Sequence, residues 1–259
     1  MVICMEKLLA ICPYEDYMLK AIIQAQIINI AQFTLIGSRN IIIEKCYISK
    51  INYKLLNIID ITNEMDICFR ANELLLEENI TGVIFGKFSK DYIKNIVIVE
   101  NDISIIDTPQ TSHLLIVPRY VDDEFIGFEE KKQAIFDCQD LLCKYDINYQ
   151  KIGFVTGHHN STLSIERSII KLDNDLSNYH IDIIAVDKIF SEEYNILIFN
   201  NRDAANIFIE TILRVDKSKL ANIKKASKYY VIDACELNYI NLFFSIFMIS
   251  KIRFDAEAC

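Results

Sequence analysis

Short apolar runs alternate with segments of helical spacing along nearly the whole chain. "KLLAICP" (7–13) predicts a first strand. "EDYMLKAIIQAQIINI" (15–30) predicts a helix whose inner face carries Met18, Ile22, Ile23 and Ile27. "FTLIGS" predicts a second strand closed by Gly37, and "NYKLLNIIDI" a third. The helix "EMDICFRANELLLEENI" and the strand "GVIFGKF" follow. "SHLLIVP" predicts the next strand, then comes the helix "FEEKKQAIFDCQDLLCKY", then the strands "KIGFVTG" and "IDIIAVD". In "NILIFNNRDAANIFIETIL" a strand, Ile196 to Phe199, meets a polar corner, Asn200 to Asp203, and a helix opening on Ala204 and Ala205. "KYYVIDAC" and a helix from about Leu237 close the pattern.

This alternation predicts an α/β fold with largely parallel sheets and helices on both faces. The strands read as continuous apolar runs, as expected when both faces are covered. Pro109 and its polar neighbours in "DTPQTSH" mark the expected division. The chain then divides into two α/β domains, residues 1–111 plus 238–259 and residues 112–237.

Composition narrows the function classes. A chain of 259 residues with 52% hydrophobic and 24% charged residues has the make-up of a folded globular protein. The formal charge of -9 argues against a nucleic-acid partner, which needs clustered Lys and Arg. Eight cysteines lie at 4, 12, 46, 68, 138, 143, 235 and 259, with no CxxC spacing for zinc or redox chemistry. Glu6 and Lys7 interrupt the first apolar run, so no secretory leader is expected. "YINLFFSIFMIS" is shorter than the about 20 residues a membrane span needs. A reducing, cytoplasmic setting and no membrane partner are the resulting expectations.

In open α/β sheets ligands bind beyond the carboxyl ends of the strands. Four corners qualify: Gly86 to Ser89, Thr111 to His113, Thr156 to Thr162, and Asn200 to Asp203. Gly86 and Gly157 suit either a close ligand approach or an ordinary turn. No P-loop, GxGxxG or GxSxG pattern is present. His158 and His159 lack the further ligands a metal site needs, and no metal is expected. "DNDLSNYH" (173–180) reads as a turn-rich loop before a strand. Asp233 and Glu236 end the strand "KYYVI"; they suit either a general base or the acidic first turn of a helix.

The order of these segments resembles the phosphate acetyl/butyryltransferase family, which shares its fold with isocitrate and isopropylmalate dehydrogenases. The resemblance runs through "AICPYEDYMLKAIIQAQIINIAQFTLIGS", "ANELLLEENITGVIFGKFSKDYI", "TSHLLIV" and "NILIFNNRDAANIFIETIL", where Ala204 and Asn206 match the family pattern. It implies a cleft between two domains, acyl transfer between coenzyme A and phosphate, and a homodimer. It implies coenzyme A as a substrate, with no permanently bound cofactor. Carried onto this chain, Lys87, Ser89, Ser112, Arg202 and Asn206 would contact phosphate or coenzyme A, and Asp233 or Glu236 would act as base. The departures are specific. Phe85 stands at the family's lysine, Ala205 at a glycine, Glu210 at a lysine, and Ala234 at the arginine expected to grip phosphate. A methyl in place of a guanidinium removes a charge-assisted fork. A catalytically degenerate relative, binding a phosphorylated metabolite, coenzyme A or a protein partner, is therefore the alternative.

Overall fold

The computed structural model describes residues 5–77, 79–99, 101–119, 128–147, 151–156, 176, 179–190, 193–215, 217–226 and 228–252. The elements begin β1 (Glu6–Ile11), α1 (Asp16–Ile27), β2 (Ala31–Gly37), α2 (Arg39–Ile48), β3 (Asn57–Asp60), α3 (Glu64–Glu77), β4 (Ile80–Phe85) and α4 (Lys90–Ile96). They continue with β5 (Asn101–Asp107), β6 (Leu115–Arg119), α5 (Phe128–Lys144), β7 (Lys151–Thr156), β8 (His180–Ala185) and β9 (Ile196–Ile198). The last are α6 (Arg202–Val215), β10 (Lys219–Lys225), β11 (Tyr230–Asp233) and α7 (Tyr239–Lys251).

The alternation is therefore real, and the fold is α/β. Helices α2 and α4 and strands β5 and β10 add to the elements predicted from sequence. The predicted third strand begins only at Asn57, because Asn52 Oδ1 accepts from Lys54 N at 3.2 Å and turns Tyr53–Leu55 into a 3₁₀ turn. Ile27, expected on the inner face of α1, is 59% exposed, whereas Met18, Ile22 and Ile23 are buried. The helix ends beside it: Asn29 takes a left-handed φ of 58° and Ile30 N closes back onto Ala25 O at 2.8 Å.

Three helices stop in this same way. Asn29, Lys50 and Asp146 are left-handed, and the isoleucine after each donates to a carbonyl five residues back: Ile30 to Ala25, Ile51 to Cys46, Ile147 to Leu142. With six glycines in the chain, these caps fall to residues with side chains.

Among the described residues two compact units emerge, one within 5–100 and 221–252 and the other within 101–220. The expected boundaries lay after 111 and 237. They shift because β11 pairs with β4, which ties 230–233 to the first unit, and because β5 pairs with β6, which ties 101–107 to the second.

In the first unit the strands run in the order β3-β2-β1-β4-β11-β10. All neighbours through β11 are parallel, and β10 is antiparallel to β11. All six residues of β4 are buried, as its apolar run requires. One face carries Leu9, Ile11, Ile36, Val83 and Phe85 against Ile67, Ala71 and Leu74 of α3. Helices α1 and α7 pack on each other, burying Met18, Leu19 and Ile22 of the one and Leu242, Ile246 and Ile249 of the other.

In the second unit the order is β5-β6-β9-β7-β8, parallel from β6 onward. Strand β5 is antiparallel to β6, and their partners Asp102 and Arg119 form a nearly buried ion pair, Nη2 lying 3.0 Å from each carboxylate oxygen. Leu115, Val117, Leu197 and Phe199 meet Ala205, Ile209 and Ile212 of α6. The alternate residues Ile116, Ile196 and Ile198 are also buried, and α5 packs on β6 and β9.

Candidate functional site

The first unit changes strand direction in sequence order between β1 and β4, the position where open α/β sheets take ligands. The carboxyl ends of β1, β2, β4 and β11 are bonded closely together there. Cys12 N donates to Ile36 O, Gly86 N to Ile11 O, and Lys87 N to Cys12 O, at 2.8, 2.8 and 3.1 Å. Cys12 is left-handed, with φ 48°. Its carbonyl lies 2.2 Å from where a Cβ on Gly86 would stand. Packing against Cys12 thus explains Gly86 without a ligand. Burial pushes the Cys12 thiol up to about 11 and the Tyr14 hydroxyl up to about 12. Tyr14 Oη accepts from Ser38 N at 2.8 Å.

Lys87 is exposed directly beyond this knot, and half-buried Ser89 precedes the short helix α4. Asp233 ends β11 and is half-buried. One of its oxygens accepts from Cys235 N at 3.2 Å, and the other lies 3.9 Å from Lys224 Nζ. Glu236 closes the 3₁₀ turn Ala234–Glu236, and its side chain lies outside the described residues. Ala234 is fully buried, and its carbonyl accepts from Tyr17 Oη at 2.7 Å. The site of the expected arginine is therefore closed to a long charged side chain. An open depression of about 770 Å³ lies in this unit among Glu15, Asp16, Tyr17, Lys20, Lys45 and Tyr239. None of the nominated residues lines it.

In the second unit the change of direction falls at β9, between β6 and β7. Asn200, Asn201 and Arg202 lead from its carboxyl end into α6. Asn201 caps the helix, its Oδ1 accepting from Ala204 N at 2.8 Å. Arg202 and Asn206 are half-buried and one turn apart, so they share a face bordering the buried stripe. Ser112 is elsewhere. It precedes β6, and β6 is parallel to β9, so Ser112 stands at the amino end of those strands. Its neighbour His113 bonds Tyr194 O through Nε2 at 2.7 Å, fixing that end. At about 3.3 Å per extended residue, Tyr194 to Asn200 spans on the order of 15–20 Å. Ser112 and the Arg202 corner therefore occupy opposite edges of this sheet.

Sequence reading missed one residue at the corner. Lys131 of α5 is buried, and its Nζ donates to Asn200 Oδ1 at 3.1 Å. In "EEKKQ" it looks like a solvated helix face. The signal was its spacing: Lys131 falls in phase with Ala134, Ile135, Cys138 and Leu142, all buried. The corner from Gly157 to Thr162, with His158 and His159, lies outside the described residues, as does most of 173–178. Among the described residues no group of three His, Cys, Asp or Glu side chains converges as metal ligands, and no helix is long and apolar enough to cross a membrane.

No protein-family model matches the sequence, and no curated protein matches it. Solved structures do match. The chain is similar to a branched-chain phosphotransacylase from Enterococcus faecalis V583, with a TM-score of 0.78 and 11% identity, over 96% of this chain and 100% of that one. It is similar to the EutD phosphotransacetylase from Staphylococcus aureus, with a TM-score of 0.71 and 10% identity, over 95% and 94% of the two chains. A 4-hydroxythreonine-4-phosphate dehydrogenase from Burkholderia phymatum matches with a TM-score of 0.61 and 10% identity, over 96% and 98%. From end to end, this chain has the fold of the phosphotransacylases.

Proposed function

We propose that the protein is a phosphate acyltransferase, moving an acetyl- or butyryl-type group between coenzyme A and phosphate. The observation that carries this reading is the end-to-end match to a branched-chain phosphotransacylase, which leaves neither chain with a large unmatched domain. The positions of the candidate residues support it. Lys87, Ser89 and Asp233 stand at the carboxyl ends of parallel strands of the first unit, and Arg202 and Asn206 follow the carboxyl end of β9 in the second. In the reaction the thiol of coenzyme A loses its proton, its sulfur attacks the acyl carbonyl, a tetrahedral oxyanion forms, and phosphate leaves. Asp233, or Glu236 beside it, takes the thiol proton. At the carboxyl edge of the first unit's strands Lys87 offers positive charge and Ser89 a hydrogen bond to an anionic group of a substrate, and at the corner after β9 Arg202 and Asn206 offer the same. Ser112, at the other edge of its sheet, belongs to a separate contact with the long coenzyme A molecule. The enzyme would work as a cytoplasmic homodimer with coenzyme A as substrate and no resident cofactor.

Ala234 favours a second reading, in which the chain binds these ligands without turning them over. A buried methyl occupies the place of the phosphate-gripping arginine, and both Asp233 oxygens already face donors.

One assay separates the two. Purified protein is given acetyl- or butyryl-coenzyme A with phosphate, and free thiol is followed. Phosphate-dependent thiol release, lowered about 10²- to 10⁴-fold by Asp233→Asn together with Glu236→Gln, supports transfer. Absence of release with either substrate overturns it. A rise in Tm with coenzyme A in that case supports the binding reading.

A further inference from the structure

Lys131 is 4% exposed, yet its ammonium reaches the corner after β9 and donates to Asn200 Oδ1 at 3.1 Å. An ammonium group can only donate. The bond therefore decides the orientation of a carboxamide that is otherwise free to flip: oxygen inward to Lys131, NH₂ turned away from it. Asn200 is exposed, so that NH₂ end is offered at the surface of the corner. The next residue has a different task. Asn201 spends its oxygen within the chain, on Ala204 N, to start α6. Arg202 follows, with a guanidinium that is always charged and has no acceptor. From Phe199 to Asn206 the single carboxylate is Asp203, which is exposed.

We infer that Lys131 is a positioning residue and Asn200 a direct phosphate contact. Lys131 holds the Asn200 amide so that its N–H groups, with Arg202, meet the phosphate group of the substrate. This rests on the acyl-transfer reading for the identity of the substrate, and it adds Lys131, which the sequence did not nominate, and a role for Asn200 within a corner that it did. It also names the chemical preference of the corner: an oxyanion with several acceptor oxygens.

Asn200→Asp is the decisive variant. It keeps an oxygen for Lys131 and replaces the outward NH₂ by a second oxygen, which repels phosphate. Two readouts are taken on the full chain: KM for phosphate in the thiol-release assay, and the shift of Tm with inorganic phosphate. The expected result is a KM raised at least about tenfold and a lost Tm shift, with the Tm of the free protein maintained. Lys131→Met is expected to raise KM likewise, and Lys131→Arg to restore most of the effect, because arginine still donates. An Asn200→Asp protein that turns over with a phosphate KM within twofold of wild type overturns this assignment and leaves acyl transfer standing. Phosphate stabilisation that Asn200→Asp abolishes, in a protein without turnover, supports the assignment and overturns acyl transfer. A wild-type protein that neither turns over nor responds to phosphate overturns both.

Discussion

Gly86 has no room for a side chain, because the Cys12 carbonyl occupies the place of its Cβ. Gly86→Ala is therefore expected to destabilise the protein by about 1–3 kcal/mol, read from urea unfolding. Cys12 itself makes stability depend on pH. Its thiol, ordinarily near 9, is held up to about 11 by burial, so the folded state keeps a proton that the unfolded state releases. The contribution is intact below pH 9 and is lost as pH rises from 9 through 11. Cys12→Ala removes it. Across that window the wild type is expected to lose roughly 2–3 kcal/mol more than the variant, measured by unfolding at each pH. At this scale the sequence reveals residue types and not their surroundings. On sequence alone Gly86 suits a ligand or a turn equally, and nothing singles out Lys131 within its helix. Only the neighbours that the fold brings up from distant segments decide each case.

Elements were more legible, because their burial pattern is written locally. Strand β4 is buried on both faces and reads as an unbroken apolar run. Strand β10, "KLANIKK", buries Leu220, Ala221 and Ile223 but carries Lys219, Asn222, Lys224 and Lys225 among them, so it lacks a continuous apolar run. It was missed for that reason. Helix α2 was missed because three consecutive isoleucines, 41 to 43, mimic a strand, although only Ile42 is fully buried. Caps can be tested directly. Asn201→Ala removes the acceptor for Ala204 N and is expected to cost about 1 kcal/mol of stability. Lys50→Gly should act in the opposite direction. Lys50 is exposed and left-handed, with φ 57°, a conformation that costs a residue with a Cβ about 1–2 kcal/mol. Part of that is recovered by glycine, and a Tm raised by a few degrees is the expected outcome.

The whole molecule is assembled from segments that are not contiguous. Among the described residues the first unit draws on 5–100 and then 221–252. A protein ending at Leu220 would leave β4 without β11 and strip α7 from α1. It is expected to lose cooperative unfolding and near-ultraviolet circular dichroism, even though all of residues 1–100 are present. The sequence by itself determined the α/β class, most strands, and the corners where chain direction changes from strand to helix. It could do so because hydrophobic period and turn chemistry act over a few neighbours. Only the tertiary structure decided that Ser112 and Arg202 stand at opposite edges of one sheet, that Ala234 is sealed beneath Tyr17, and that Lys131 reaches Asn200. Those facts depend on strand order and on contacts between residues far apart in the chain, which no local pattern encodes.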